Sequence, residues 1–373
     1  MTDVLFWLSF ALFFYAYFGY PLLIALLSRL KPSPLKDEQL TAESLPEVTV
    51  VLCVYNAEHS IEARLDNLLQ LDYPADKLHI LVVSDGSTDQ TVQRVEQMQH
   101  PRIRCIAYPD NRGKAYALSQ AVPQIKTDYS LFADGRQRFD TDVIRQLLGY
   151  FADERIGAVT GNLVIASGKG TPGLYWQYEK IIRSAESRYQ SLIGVTGAIY
   201  MAKTSLVPTD LPSGLLLDDM YIPLQMVLQG YQVKFCPTAV AHDRASGSLQ
   251  EEFDRKVRTL AGNYQLFRLA PWTMNPLKNP VWFQLMSHKV LRLLVPYLLI
   301  LMLITSSISN QWLVQCALAA QLICYALAGF SYFWLYRKRG KSNVLLTFCM
   351  LNLAALKASW VNWQAPQGLW KRH

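Results

Sequence analysis

The sequence lacks the marks of several common protein classes. Its six cysteines are scattered without any Cys-x-x-Cys spacing, which argues against a zinc site and against a disulfide framework. The net charge of +7 comes without a basic stripe interleaved with aromatic residues, so nucleic acid is not expected as a partner. No Gly-x-Gly-x-x-Gly turn follows the first predicted strand, which argues against a dinucleotide-dependent oxidoreductase.

Charge is scarce as well, at 17% of the 373 residues against 51% hydrophobic residues. Residues 4–28 contain no charged side chain and no histidine, a run long enough for a spanning helix, which needs about 20 residues. Arg29 and Lys31 follow this run, whereas a cleaved signal peptide carries its basic residues in front. We therefore expect an N-terminal membrane helix whose carboxyl end faces the cytoplasm, because basic flanks favour that side.

Three further apolar blocks lie near the end of the chain, at about 290–309, 312–335 and 344–360. The basic loop 336–341 predicts a cytoplasmic connection between the last two blocks, and residues 309–311 predict an outward turn. Because the last block carries Lys357, it either crosses the membrane or re-enters it, and we favour crossing. The sequence thus predicts a multi-pass membrane protein that contacts lipids.

Between the membrane segments, short β-branched runs alternate with helical patterns. The predicted strands are Val48–Tyr55, Leu78–Asp85, Arg102–Tyr108 and Tyr129–Asp134. The predicted helices are Ala57–Leu71, Thr88–Met98 and Lys114–Ile125. This alternation predicts a Rossmann-like, mostly parallel α/β sheet, and such sheets bind ligands beyond the carboxyl ends of their strands.

Polar side chains follow three of these strands. Tyr55, Asn56 and Glu58 come at the end of the first strand, Asp85 ends the second and Asp134 ends the fourth. Taken singly, Asn56 and Asp85 are also good caps for the turns that enter the next helices. Three polar ends at one edge of one sheet nevertheless predict a binding pocket there.

Four segments together resemble a known family. "VTVVLCVYNAEHSI", "LQLDYPADKLHILVVSDGSTDQT", "NRGKAYALSQAV" and "LFADG" follow one another as in the nucleotide-sugar-binding half of family 2 inverting glycosyltransferases, which have the GT-A fold. The resemblance covers about residues 47–260 and suits bacterial members that are embedded in the inner (cytoplasmic) membrane. Together with the apolar blocks, it predicts a membrane helix at 1–30, a linker at 31–46, a GT-A domain at 47–260, interfacial helices at 261–289, about three membrane helices at 290–363 and a tail at 364–373.

The resemblance also implies roles for the polar strand ends. Tyr55, Asn56 and Glu58 are expected to line the base and ribose pocket, and Asp85 is expected to accept hydrogen bonds from the uracil edge of a UDP-sugar. Lys114 follows Gly113 at a predicted helix start, where a cation and free backbone N–H groups favour phosphate. The alternative for Lys114 is a solvated lysine at a helix end.

The family pattern is altered at its metal motif. Where the family carries Asp-x-Asp, this chain has Asp134, Gly135 and Arg136. Hard divalent ions keep water and substrate phosphate among their ligands, so Asp134 alone can hold Mg²⁺ or Mn²⁺ while Arg136 pairs with a phosphate oxygen. Metal dependence is therefore left open by the sequence.

An acidic pair supplies the expected general base. In "SGLLLDDMYIPLQMVLQGYQVKF", Asp218 and Asp219 match the family's acidic segment at a helix start. The resemblance implies that Asp219 takes the proton of the acceptor hydroxyl and that Asp218 belongs to the donor site. The alternative is that both acids only complement the helix N-terminus.

Further along, the chain departs from the polymer-forming members of the family. Arg255, Arg258 and Thr259 occupy the positions of their Gln-x-x-Arg-Trp motif. Both arginines fall on one helix face and are expected to clamp the diphosphate. Because the tryptophan that helps to hold a growing polymer is missing, we expect a non-processive enzyme.

Four residues have two interpretations each. His242 and Asp243 are either a late metal-ligand pair or loop residues, and the loop is favoured. Trp176 and Tyr178 either stack on a sugar or fill a core.

The sequence as a whole predicts a transferase that moves a sugar from a nucleotide-sugar donor to a lipid-linked or glycan acceptor. The transfer is expected at the cytoplasmic membrane face. The alternative is a non-catalytic nucleotide-binding subunit of a polysaccharide synthesis or export complex, a possibility supported by Arg136.

Overall fold

The computed structural model describes residues 1–32, 45–165, 172–243, 248–336 and 343–364. Most of the predicted linker, almost all of the basic loop that begins at Tyr336 and nearly all of the predicted tail lie outside the described residues. The described part contains one sheet-based domain and a group of long apolar helices.

The domain is built on an eight-stranded sheet. Its strands are β1 (Val48–Val54), β2 (Leu78–Asp85), β3 (Ile103–Tyr108), β4 (Tyr129–Asp134), β5 (Arg138–Phe139), β6 (Ile156–Ile165), β7 (Ile199–Lys203) and β8 (Gln232–Asp243). They lie side by side in the order β3-β2-β1-β4-β7-β6-β8-β5. The pairs joining β3, β2, β1 and β4 are parallel, as predicted, whereas β7 runs antiparallel to both of its neighbours.

Both faces of the sheet are covered, which explains the continuous apolar runs in its strands. Val51 packs into a core on one face, whereas Val50 and Leu52 pack into a second core on the other. The helices of the domain are α3 (Ile61–Leu69), α4 (Thr91–Gln97), α5 (Lys114–Ala121), α6 (Val143–Leu148), α7 (Pro172–Tyr189), α8 (Asp218–Leu228) and α9 (Leu249–Leu269). Helix α9 continues across the predicted domain boundary at residue 260.

Among the described residues, four helices are long and apolar enough to cross a membrane. The first joins α1 (Thr2–Phe14) to α2 (Tyr20–Leu30) through a π-helical turn, Tyr15–Gly19. The second joins α10 (Trp282–Leu285) to α11 (Leu291–Ile308) through another π-helical turn, Met286–Val290, and so begins earlier than the predicted residue 290. The others are α12 (Trp312–Phe330), extended by a π-helical turn, and α13 (Val344–Gln364).

Buried polar contacts join the membrane helices to α7. The Tyr20 hydroxyl donates to Glu186 Oε1 at 2.6 Å, and His288 Nδ1 lies 2.8 Å from the same oxygen. His288 Nε2 lies 3.1 Å from Glu179 Oε2, and Arg292 donates to Glu179 Oε1. Because these contacts link the buried side chains of Tyr20, Glu179, Glu186 and His288, they hold α2, α7 and the start of α11 in one arrangement.

Helix α9 approaches the start of α8 closely because residue 262 is glycine. A Cβ at this position would lie 2.6 Å from Leu217 Cγ and 3.1 Å from Leu216 Cβ. Leu217 is the N-cap residue of α8, so this contact fixes where α8 begins.

We expect Gly262→Ala to lower the apparent melting temperature of the detergent-purified protein. Helix propensity alone favours alanine by about 1 kcal/mol, but overpacking a close contact costs about 1–3 kcal/mol. Gly149→Ala is the control, because a Cβ there meets nothing within 4 Å. Equal shifts in the two variants at one heating rate would contradict the close approach.

Candidate active site

Two acidic residues end neighbouring parallel strands at the same edge of the sheet. Asp85 is the last residue of β2 and Asp134 is the last residue of β4, with β1 between them. Near the end of β1, Cys53 pairs in register with Asp134. The sheet therefore brings together residues that are about 50 positions apart in sequence.

Lys114 connects this edge to α8. Its ammonium lies 3.0 Å from Asp134 Oδ1 and 3.3 Å from Asp218 Oδ2. Burial by itself would lower the pKa of Lys114, but the two carboxylates hold that pKa well above its usual value. Lys114 is thus a charged, partly buried group shared by two acids rather than a solvated lysine at a helix end.

Asp219 lies at the same place but is not paired in the same way. A Cβ at Gly197 would lie 3.5 Å from the Lys114 ammonium and 3.8 Å from Asp219 Oδ2, so both groups border one small space. Burial and the charge of Asp218 raise the pKa of Asp219 to about 7, and Lys114 opposes the rise. Within the described chain the Asp219 carboxylate makes no hydrogen bond or ion pair.

Asp85 organises the loop that leads to Lys114. Its two carboxylate oxygens accept hydrogen bonds from the backbone N–H groups of Arg112 at 2.9 Å and Gly113 at 2.7 Å. The Asn111 side-chain amide donates to the Asp85 carbonyl at 3.0 Å. Asp85 therefore supports the start of α5 rather than its own turn. Its expected contact with the uracil base of a UDP-sugar stays a prediction.

Cys53 lies among these charged groups. Burial raises the pKa of the Cys53 thiol to about 12, Lys114 opposes that rise, and Asp218, Asp134 and Asp85 add to it. These four charged groups are therefore close enough to act on one thiol.

The loops after β1 and β2 hold each other. Asn56 Oδ1 accepts a hydrogen bond from the Thr88 N–H at 2.8 Å, and Glu58 Oε2 accepts one from the Gln90 N–H at 3.1 Å. In return, Asp89 Oδ2 accepts from the Glu58 N–H at 3.0 Å. Asn56 thus holds the loop before α4 and does not cap α3, whose N-cap is Ser60, while half-buried Tyr55 lies beside it at the same edge.

Arg136 is held by Asp243. Its Nε donates to Asp243 Oδ2 at 3.1 Å, and the Gln137 amide donates to the same oxygen at 2.9 Å. The expectation that His242 and Asp243 are loop residues is wrong, because they end β8, and His242 pairs with Asp140 at 3.0 Å. No group of three or more His, Cys, Asp or Glu side chains has a metal-binding arrangement among the described residues.

Of the two arginines on α9, Arg258 lies within electrostatic range of the acidic cluster. Burial lowers its pKa, and the charges of Asp134, Asp218 and Asp219 act against this change. Arg255 lies close enough to Arg258 for its charge to reinforce the lowering. Arg258 thus adds a second cation to the space around Lys114.

A cavity of about 800 Å³ runs from Asp219 to the membrane helices. At the domain end Gly197 and Thr196 line it, and at the other end residues of α1, α12 and α13 do so. Neither Asp85, Asp134 nor Lys114 lines it. Asp219 therefore borders two spaces: the acidic sheet edge and this cavity.

The sequence analysis missed most of the cavity wall. Trp176 lines the cavity with the Lys256 ammonium 5.8 Å from its ring, while Tyr178 donates a hydrogen bond to the Tyr17 carbonyl at 2.8 Å. Glu179, Lys180, Arg183 and Glu186, all on α7, also line it. The spacing of Glu179, Arg183 and Glu186 by four and three residues was the available signal, but a charged helix face is typical of solvent exposure.

Comparison with known families identifies the domain. Residues 49–207 match the family described as glycosyl transferase family 2. These residues form a family 2 glycosyltransferase domain. The chain is 28% identical over 280 residues to a poly-beta-1,6-N-acetyl-D-glucosamine synthase of Staphylococcus aureus, covering 72% of this chain and 67% of the relative. It is 24% identical to the protein of the same name from Staphylococcus epidermidis, covering 68% and 63%.

A solved structure shares the fold over nearly the whole chain. The mannosyltransferase PcManGT from Pyrobaculum calidifontis, in complex with GDP-Man and Mn2+, superposes with a TM-score of 0.72 at 24% identity. The match covers 97% of this chain and 100% of that chain. The glycosyltransferase domain therefore has the expected GT-A fold. The match also includes the helices that surround this domain.

We expect Lys114→Gln to raise the pKa of Asp219 above about 7, because the nearby cation that lowers this pKa is removed. Difference infrared spectroscopy of the carboxyl band across pH measures the change, and loss of that band in Asp219→Asn identifies it. Lys126→Gln, an exposed lysine at a distance from the site, is the control. An unchanged titration in Lys114→Gln would show that the two groups are not coupled.

Proposed function

We propose that this chain is an inverting glycosyltransferase that moves a sugar from a UDP-sugar to a lipid-linked or glycan acceptor. Transfer takes place at the cytoplasmic face of a bacterial inner membrane. The main support is the position of Asp219 between the acidic sheet edge and the cavity. In this proposal the edge receives the donor and the cavity receives the acceptor.

Asp219 is the proposed general base. It takes the proton of the acceptor hydroxyl while the hydroxyl oxygen bonds to the anomeric carbon and the bond from that carbon to the donor phosphate breaks. The electron pair leaves with the nucleoside diphosphate. A base whose pKa of about 7 is close to the operating pH is well suited to this transfer.

Cations of the chain receive the negative charge of the leaving diphosphate. Lys114 and Arg258 lie at the acidic cluster and are the proposed phosphate contacts, with Arg255 beside them. Asp134 is the proposed ligand for Mg²⁺ or Mn²⁺, since only its Oδ1 is engaged by Lys114 and its side chain is 36% exposed. A divalent ion bound there would neutralise diphosphate charge, with water and phosphate completing its coordination.

The base and ribose are proposed to lie against the two interlocked loops. Tyr55, Asn56 and Glu58 form one wall of this pocket, and Asp85 forms its floor. Because these loops are tied to each other by hydrogen bonds, the pocket is formed before the donor binds. Asp218, through its pair with Lys114, links the pocket to the proposed base.

The residue at position 259 supports single sugar transfers rather than long polymerisation. Thr259 lines the cavity where the polymer-forming members carry tryptophan, and its hydroxyl donates to the Arg255 carbonyl at 3.0 Å. A threonine in this position offers no ring face on which a sugar can stack.

The proposed orientation follows from the chain ends of the membrane helices. The Ser309 hydroxyl donates to Asp3 at 2.5 Å, which puts the N-terminus and the turn at residues 309–311 on one side. Arg29 and Lys31 lie at the opposite end of the first helix, whose α2 part packs against α7 of the domain. Basic flanks favour the cytoplasmic side, so the domain is assigned to it.

Asp219→Asn is expected to lower turnover by about 10²–10⁴-fold, because an amide cannot take the proton. In the unmodified protein the rate should rise with pH up to about 7 and then level, since only the ionised carboxylate acts as base. Release of nucleoside diphosphate from a panel of UDP- and GDP-sugars, with total lipid extract as acceptor, measures both effects.

The matched control is Asp210→Asn, because Asp210 is exposed and lies outside the cavity wall. Its turnover should equal that of the unmodified protein. Nucleotide binding without turnover on any acceptor would instead favour the alternative of a binding subunit. Normal turnover in Asp219→Asn would remove this residue from the mechanism.

Removal of divalent ions with EDTA is expected to abolish turnover, and added Mg²⁺ or Mn²⁺ to restore it, because Lys114 is already shared by two acids. The Asp134→Asn variant should require at least about tenfold more metal for half-maximal rate, because the one carboxylate proposed to bind the metal ion is lost. Unchanged activity in EDTA would assign charge neutralisation to Lys114 and Arg258 alone.

A further inference from the structure

The cavity between Asp219 and the membrane helices has an excess of positive charge. Among the described residues its wall carries five basic side chains, from Lys and Arg, against three acidic ones. Two of the acids, Glu179 and Glu186, are already engaged by His288, Arg292 and Tyr20. Asp219 is the one further acid among the described residues of this wall, so the wall keeps a net positive charge.

Two cations in this wall have unused hydrogen-bond donors. Lys289 makes no hydrogen bond or ion pair within the described part of the chain. Arg183 donates from Nη1 to Thr196 Oγ1 at 2.5 Å, but its Nη2 is buried without a partner. Leaving buried charged donors unpaired is costly, so a wall of this kind is suited to an anionic ligand.

Both cations lie near the proposed base. The charge of Lys289 acts on Asp219, and that of Asp219 acts on Arg183. Thr196, the partner of Arg183, is one residue from Gly197, which borders the Asp219 carboxylate. An anion held by Lys289 and Arg183 would therefore lie close to a hydroxyl group placed at Asp219.

The far end of the cavity is apolar and belongs to the membrane helices. Phe13 and Phe18 line it from the first helix, and Phe348 and Leu351 line it from α13. The cavity therefore has a polar end at the glycosyltransferase domain and an apolar end at membrane depth. This is the polarity of an amphiphile whose head group points towards the domain.

We propose that the acceptor is a glycan carried on a lipid phosphate, with its phosphate bound by Lys289 and Arg183 and its hydrocarbon chain lying between the membrane helices. This inference rests on the proposed function and narrows its acceptor to one class. A neutral glycan offers hydrogen bonds but no charge to match the two donors. At about 800 Å³ the cavity is within the range of ligand sites, about 300–1,000 Å³.

Binding of tritiated geranylgeranyl phosphate to the full chain in phosphatidylcholine nanodiscs tests this, with empty discs subtracted. Geranylgeraniol has the same hydrocarbon chain without phosphate and should bind at least about tenfold more weakly. Lys289→Gln and Arg183→Gln should each weaken binding of the phosphate by about tenfold to a hundredfold and leave geranylgeraniol unaffected. Lys289→Arg should retain binding.

The controls are Lys278→Gln and Arg188→Gln, which remove the same charges at exposed positions outside the cavity. Nucleotide binding by each variant reports that it is folded. Equal affinity for the phosphate and the alcohol, or unchanged binding in both cavity variants, would overturn the proposal. If inorganic pyrophosphate binds as tightly as geranylgeranyl phosphate and with the same dependence on Lys289, the site is one for free phosphate instead.

This test separates the acceptor proposal from the proposed function. If lipid phosphate binds as expected but Asp219→Asn turns over normally, the mechanism fails and the binding site stands. In the opposite case, Asp219→Asn is inactive, but Lys289→Gln transfers sugar to free oligosaccharides as well as the unmodified protein does. The proposed transferase function then stands, and the lipid phosphate acceptor is overturned.

Discussion

One ammonium group, that of Lys114, holds the acidic edge of the sheet together. Asp134 and Asp218 lie 84 positions apart in the sequence and meet on this lysine. Without it, these two carboxylates and Asp219 would share a poorly solvated space without the cation that pairs with two of them, and like charges at such separations repel strongly. Asp85 is part of the same constraint, because its hydrogen bonds to the preceding backbone fix where α5 presents Lys114.

The same constraint connects the sheet edge to the membrane. Helix α8 begins at Asp218, and its start is fixed by Gly262 of α9 and by the hydrogen bond from the Val195 N–H to the Asp219 carbonyl at 2.8 Å. Helices α7 and α9 carry charged residues into the cavity wall, and α7 is bound to the first membrane helix through Tyr20 and Glu186. A shift of the membrane helices would therefore change the cavity at the proposed base.

Local sequence patterns predicted the parallel half of the fold well. Leu78–Asp85 and Tyr129–Asp134 have the predicted bounds, and α5 begins at Lys114 as expected, because buried strands and helix starts have strong local signals. The partner of Arg136 was not predictable, because β5 and β8 are distant in sequence and no local pattern indicates that they pair. The charged face of α7 was missed because it turns towards a cavity formed by elements distant in sequence.

The acidic pair shows what the structure adds to a motif. From sequence alone, Asp218 and Asp219 are adjacent and both suit a helix N-terminus. In the structure Asp218 is ion-paired with Lys114, whereas the Asp219 carboxylate has no partner in the described chain and borders the cavity. Burial and its neighbour raise its pKa to about 7, so Asp219 can exchange a proton near neutral pH. The two adjacent residues can therefore have different roles. The ion-paired Asp218 suits a donor contact, and the unpaired Asp219 suits the base.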